Sequence, residues 1–265
     1  MKHIIIHRTL FAAVIILLLF RLSGAHEPLF GLGPHTIGKY AWAVESEFEK
    51  QGADLANAIE ILYGLTPNVA ITLATPYLFE SGERDAGFGN ITLRGKYRFI
   101  RLDSPGASTA FALHGGVRIR RSPQITGPAP NFFVGISFGY ESRRHYAFAD
   151  FRWIQRNSTD NLQPGGIANL EAAYGIRPWL LEYKQPDLVL LIEFLGEFIG
   201  KNQLNGNTVP GSGGQRFSVA PGFLFSIRNV MLKGGIKIPV QQSNALLDED
   251  PTAVLGIEIH MPPFK

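Results

Sequence analysis

Residues 90 to 100, NITLRGKYRFI, are two sequences interleaved. Asn90, Thr92, Arg94, Lys96 and Arg98 hold the even positions, and Ile91, Leu93, Gly95, Tyr97 and Phe99 the odd ones. Successive side chains of a strand point to opposite faces, so this pattern predicts a strand with one cationic and one apolar face. The same alternation recurs along the chain. Residues 39 to 49 set Tyr40, Trp42, Val44 and Phe48 against Lys39, Glu45, Glu47 and Glu49. Residues 57 to 65 separate Ile59, Ile61, Tyr63 and Leu65 from Glu60, and residues 69 to 79 separate Val69, Ile71, Leu73 and Tyr77 from smaller side chains. Residues 109 to 121 place Phe111, Leu113, Val117 and Ile119 opposite His114, Arg118 and Arg120.

The second half continues the pattern at 132 to 141, 145 to 156, 167 to 177, 188 to 200, 216 to 227, 230 to 240 and 252 to 261. Residues 145 to 156 are the least clear, since aromatics occupy both faces; Asp150, Arg152 and Arg156 mark the polar one. Twelve strands are therefore expected. Most span more residues than the five or six usual in soluble proteins and match the 9–11 that cross a bilayer on a tilt.

The connections alternate in length. TPN, RLDSPG, SRR and RN are short, whereas QGADLA, ESGERDAG, SPQITGPAPN, NSTDNLQPGG, KNQLNGNTVPGSGGQ and QQSNALLDEDP are longer and polar. PWLLEYKQPD, residues 178 to 187, falls on the short side and is too long for a tight turn. Short turns at one end and long loops at the other are the habit of transmembrane barrels, and an even strand number lets the sheet close without edges. A soluble periplasmic β-protein could also face such cations to water. Strand length, loop asymmetry and strand number together favour an all-β fold, a transmembrane antiparallel β-barrel of about 12 strands. In it Leu93, Tyr97 and Phe99 meet lipid, while Arg94, Lys96 and Arg98 meet the lumen.

The first 25 residues change the charge reading. Lys2 and Arg8 precede and flank the apolar run from residue 9 to 20, and Ser23 and Ala25 offer a small-residue cleavage site before His26. This is the layout of a secretory signal peptide, too short for a membrane-spanning helix. Residues 26 to 36 would then form an N-terminal periplasmic leader or plug, and 37 to 265 the barrel. The whole chain has 25 Lys+Arg against 22 Asp+Glu; Lys2, Arg8 and Arg21 leave with the signal, so the mature balance is 22 against 22. Nothing asks for nucleic acid. The absence of cysteine removes disulfides, thiolate metal sites and thiol nucleophiles.

The start HEPLFGLGPHTIGKYAWAVESEFE and the late run FSVAPGFLFSIRNVMLKGGIKIPV resemble the meta-pathway phenol-degradation-type outer-membrane proteins of Gram-negative bacteria. The resemblance covers nearly the whole mature chain through soft motifs, GPHT and a PG…GGIKIPV pair. It implies a transport-type barrel of loosely defined substrate, with aromatic or hydrophobic compounds as the candidates that the resemblance suggests. Such barrels end on an aromatic residue used in assembly, whereas this chain ends HMPPFK with Phe264 next to last.

Candidate chemistry lies in the lumen. Glu45, Glu47, Glu49 and Glu60 make an acidic sector, Arg94, Lys96, Arg98, Arg118 and Arg120 a basic one. Glu171, Glu193 and Glu197 are acidic again, and Arg216, Lys233 and Lys237 basic. Two readings stand: a polar pathway whose transverse field orients a solute, or ion pairs that fill a narrow barrel. GISFG, residues 135 to 139, matches a nucleophile-elbow pattern but lies within a strand instead of a strand–turn–helix. His114 and His260 fall on the lumen face, with Ser137 beside His114, and are expected as hydrogen-bonded wall residues. His26, Glu27 and His35 are too sparse for a metal site. No cofactor and no enzyme activity are expected. The function expected is that of a passive channel or transport component for small solutes, with outer-membrane lipids and the assembly machinery as partners. The alternative is a non-conducting barrel with adhesive loops, or a lipid-modifying enzyme.

Overall fold

The computed structural model describes residues 27–82, 85–119, 130–158, 161–180, 185–243 and 249–263. Long strands form wherever the alternation marks them: β1 (Trp42–Gln51), β2 (Asp54–Thr66), β3 (Val69–Leu78), β4 (Ile91–Ser104), β5 (Ala107–Ile119) and β6 (Pro130–Ser142) in the first half. The second half gives β7 (His145–Arg156), β8 (Ile167–Ile176), β9 (Asp187–Ile199), β10 (Gly214–Ile227), β11 (Val230–Gln242) and β12 (Thr252–Met261). Each pairs antiparallel with the next in the chain. β1 also pairs with β12, from Trp42 opposite Met261 to Gln51 opposite Thr252. The sheet is a closed twelve-strand barrel, and closure leaves no strand edge for hydrocarbon to strip of water.

Side-chain exposure fixes which face is which. On β4, Leu93 and Tyr97 are 45% and 51% exposed, while Lys96 and Arg98 are 6% and 7% exposed. Water-avoiding side chains point out and charged ones point in, the inverse of a soluble protein. A register shift between Arg98 and Ile100 then turns both Phe99 and Ile100 outward.

Two connections differ from the sequence expectation. QGADLA is no loop: Gln51 pairs with Asp54, so only Gly52 and Ala53 turn. RLDSPG is mostly strand, since Ser104 pairs with Ala107 around Pro105 and Gly106. In both cases polar residues extend a hairpin past the apolar band, where alternation no longer signals a strand. The φ of +55° at Gly52 and +77° at Gly106 suits tight turns without a Cβ. At the long-loop end, Leu162–Gln163, Gln203–Leu204 and Asn207–Thr208 form a small three-stranded sheet around the turn Asn205–Gly206. At the other end the Arg177 guanidinium grips both oxygens of Asp187, at 2.8 and 3.0 Å, and donates to the Ser142 carbonyl. This clamp spans the long connection between β8 and β9. Arg120, His26 and Phe264 lie outside the described residues.

The core sits inside the barrel. Tyr146, Phe148, Ala173, Val189, Leu191, Leu224 and Met231 form one buried apolar cluster with Leu29, and Phe30 packs against it. The wall residues of that cluster come from the short-turn half of β7 to β11. This explains the two aromatic faces of residues 145 to 156: Phe151 and Trp153 meet lipid, while Tyr146 and Phe148 point into the cluster.

Candidate functional site in the barrel lumen

The segment before β1, expected as a leader over residues 26 to 36, lies within the lumen from Glu27 onward. The Leu29 and Phe30 amides donate to the two carboxylate oxygens of Glu193, at 2.5 and 3.1 Å. Glu27 pairs with Lys96. Its carboxyl is partly buried, and this loss of water would raise its pKa, but Lys96 and Arg94 outweigh that effect and hold it below the usual carboxylate value. His35 stands 3.6 Å from Glu141 and 5.4 Å from the Phe148 ring, and the Thr36 hydroxyl donates to the Pro67 carbonyl at 2.8 Å.

Glycines in the wall make this seat. Gly222 on β10 and Gly235 on β11 face each other across the ladder. A Cβ on Gly222 would collide with the Leu29 side chain, and one on Gly235 would lie 2.6 Å from it. At Gly139, a Cβ would stand 2.8 Å from Pro34. Real Cβ contacts are not that close, so glycine at 222 and 235 leaves room for Leu29, and glycine at 139 leaves room shared by Pro34 and the Phe148 ring. Gly135, in the GISFG run, gives the same room to the His114 ring and the Phe151 carbonyl.

A test of the socket uses the absence of cysteine. With Leu29→Cys as a reporter, Gly222→Leu should raise labelling by a water-soluble maleimide, since overpacking displaces the smaller partner. Unchanged labelling would mean that the leader holds without the socket.

Those of the charged residues picked from the sequence that the structure describes sit on the inner face, mostly as neighbours' counter-ions. Arg94 reaches Glu60 at 3.1 Å, across β3. Lys233 reaches both Glu45 and Glu47, the latter at 2.9 Å, across β12. Arg152 meets Glu171 at 2.8 Å, Arg216 pairs with Glu197, and Lys237 meets Glu249 at 2.8 Å. Lys96 is taken by Glu27 and Glu193 by the leader amides. Arg98 departs from this pairing: it donates to the Pro67 carbonyl at 2.7 Å and to Asn68 at 3.1 Å, so it fastens a turn. Arg118 is exposed toward the long-loop mouth. Of the two sequence readings, ion pairing describes most of the wall.

Space remains beside the leader. A cavity of about 240 Å³ lies between it and the wall of β1, β2, β11 and β12, reached also by Arg94 of β4 and Arg152 of β7, with Leu29, Phe30 and Leu32 on one side. On the other stand Glu45, Glu47, Glu60 and Glu258 with Arg94, Lys233 and His260. His260 approaches Glu258 at 2.9 Å. His114 does not line this cavity; its ring is fully buried, 2.6 Å from Asp150. Ser137 is buried on the same wall, its hydroxyl without a hydrogen-bond partner in the structure.

Sequence reasoning missed Glu258, Glu249 and the anchoring atoms of the leader. Glu258 was visible, since it alternates with Ile257 and Ile259 on β12. The leader also carried a signal: Leu29, Phe30 and Leu32 are apolar for a segment outside the sheet.

No protein-family model matches the chain, and no curated protein is significantly similar to it. Solved structures do resemble it in fold. The COG4313 outer membrane channel from Pseudomonas putida F1 aligns with a TM-score of 0.64 at 12% identity, over 89% of this chain and 100% of that one. The NanC porin aligns with a TM-score of 0.50 at 6% identity, over 82% of this chain and 98% of that one. The chain shares the fold of outer-membrane channel and porin barrels, and a closed β-barrel with a lipid-facing apolar band is a protein of the bacterial outer membrane.

Proposed function

We propose that the chain is a passive outer-membrane channel, or transport component, for small solutes. The observation that carries this reading is the cavity beside the leader: the barrel wall surrounds space of solute size, charged on one side and apolar on the other. The fold shared with channel and porin barrels supports it. Membership of the phenol-degradation-type family, with aromatic or hydrophobic compounds as solutes, extends the reading and rests on the GPHT and GGIKIPV segments. Leu29, Phe30 and Leu32 give one side of the cavity the apolar surface such solutes need. Outer-membrane lipids and the assembly machinery are its partners on this reading, and no cofactor or catalytic residue belongs to it. The complete burial of His114 against Asp150 fits a wall residue better than a base that meets lipid.

The cavity's charge makes the reading specific. Glu27, Glu45, Glu47, Glu60 and Glu258 line it against Arg94, Arg152 and Lys233, an excess of carboxylates. Cations should therefore pass in preference to anions. Refolded mature protein in a planar bilayer under a salt gradient should give small discrete steps with a cation-selective reversal potential. Arg94→Glu should strengthen the preference. Silence from folded protein would overturn the channel reading, and anion preference would remove this cavity from the pathway.

A further inference from the structure

The two ends of the barrel differ in exposed charge. At the short-turn end, Lys39 stands just before β1, Arg101 on the β4–β5 hairpin, Arg143 and Arg144 in the β6–β7 turn, and Arg228 in the β10–β11 turn; all five are exposed. The exposed acid among the described residues of these segments is Asp103, 2.9 Å from Arg101. At the long-loop end the exposed described residues include Glu49, Asp54, Glu80, Asp85 and Asp250 against Lys50, Arg118 and Lys201. Among the described residues one rim is cationic and the other mildly acidic.

The cationic rim also adjoins aromatic surface. Lys39 lies 4.7 Å from the centroid of the Tyr40 ring, and Tyr40 is exposed. The β8–β9 connection exposes Trp179 and Leu180 at the same end. Aromatic rings of this kind settle at headgroup depth, which puts the cations level with lipid phosphates. The Arg143 side chain is laid over Gly106 of the neighbouring hairpin, its amide bonded to the Gly106 carbonyl at 3.0 Å, so the guanidinium is directed along the rim.

We propose that the short-turn rim is a binding ring for anionic phospholipid headgroups of the periplasmic leaflet. The spacing of the cations selects this occupant. They belong to the start of β1 and to the β4–β5, β6–β7 and β10–β11 turns, and therefore surround the barrel instead of forming one patch. A folded partner would touch one arc and leave the others in water. Annular lipid meets every arc, and each basic residue near an anionic surface adds attraction.

The test compares wild type with a triple variant, Arg143→Gln, Arg144→Gln and Arg228→Asn, the last chosen because φ is +57° there and Asn tolerates it. Native mass spectrometry of detergent-solubilised, folded protein would count retained phosphatidylglycerol against phosphatidylethanolamine. The triple variant should lose at least about fivefold of the phosphatidylglycerol preference, while Lys50→Gln with Lys201→Gln should lose none. Equal preference in wild type and triple variant would overturn the proposal. Displacement of the lipid by inorganic phosphate at matched concentration would make the ring a phosphate site, and equal retention of polyglutamate would make it a protein-docking surface; either overturns it as well. Heat-modifiable gel mobility confirms that each variant is folded before it is counted.

Discussion

Removing residues 27–36 should raise the single-channel conductance several-fold and lower the thermal unfolding midpoint. The gain follows from vacated space: the leader narrows the short-turn half of the lumen, held there by the Glu193 bonds, the Leu29 socket and the Lys96 pair. The loss follows from the same contacts, because Tyr146, Phe148, Val189, Leu191, Leu224 and Met231 would face water. Apolar area costs about 25 cal/mol per Å² to expose, so the expected destabilisation is on the order of a few kcal/mol. Glu193→Gln should act in the same direction more weakly. It keeps one acceptor but discharges it, and hydrogen bonds to a charged group are worth about 1.5–3 kcal/mol. Acid should loosen the leader too. A carboxyl held below its usual value stabilises the seated state above its unfolded pKa, and that contribution is lost as pH falls through its folded value. Conductance that rises below pH 4 in wild type but not in Glu27→Gln would show this link (about pH 4 being where free carboxyls titrate). An unaltered conductance after deletion would place the constriction elsewhere.

Lys233→Met should be the most damaging single substitution. Lys233 is 7% exposed and serves both Glu45 and Glu47. Taking it away leaves two carboxylates inside the wall, and breaking a buried pair costs about 3–5 kcal/mol. Urea unfolding in lipid vesicles would measure the loss. The triple variant Lys233→Met, Glu45→Gln, Glu47→Gln should recover most of it, since it removes the stranded charges along with their partner. Failure of the triple variant to recover stability would assign Lys233 a packing role through its methylene stem instead.

The barrel was legible in the sequence because lipid imposes one demand on every strand. Outward residues such as Leu93, Leu113 and Leu190 must be apolar whatever lies inside, so a period of two survives along the chain. Beyond the apolar band that demand lapses, which is why QGADLA and RLDSPG read as loops although their strands continue. The lumen residues were legible as a set but not as pairs. Glu60 and Arg94 are 34 residues apart and Glu45 and Lys233 much further, and no local pattern records which inward carboxylate meets which cation. The leader's place was legible only in part. Its apolar residues were visible, but the space that receives them is written as missing side chains at Gly139, Gly222 and Gly235. A glycine in a strand does not say what fills its vacancy.

The bond between the Leu29 amide and Glu193 joins residues 164 apart. The leader is the first described part of the chain, yet its apolar seat is assembled from β7 to β11 and sealed only when β12 meets β1. Loop-closure entropy must be met before such distant contacts reward it. The segment that fills the barrel therefore has to wait for the last third of the chain, and it must already lie on the correct side of the sheet when the seam shuts. Biogenesis of this protein is then a matter of wrapping as well as insertion: a sheet that closes around the segment preceding its first strand, with a late, concentration-independent step expected as that segment is enclosed.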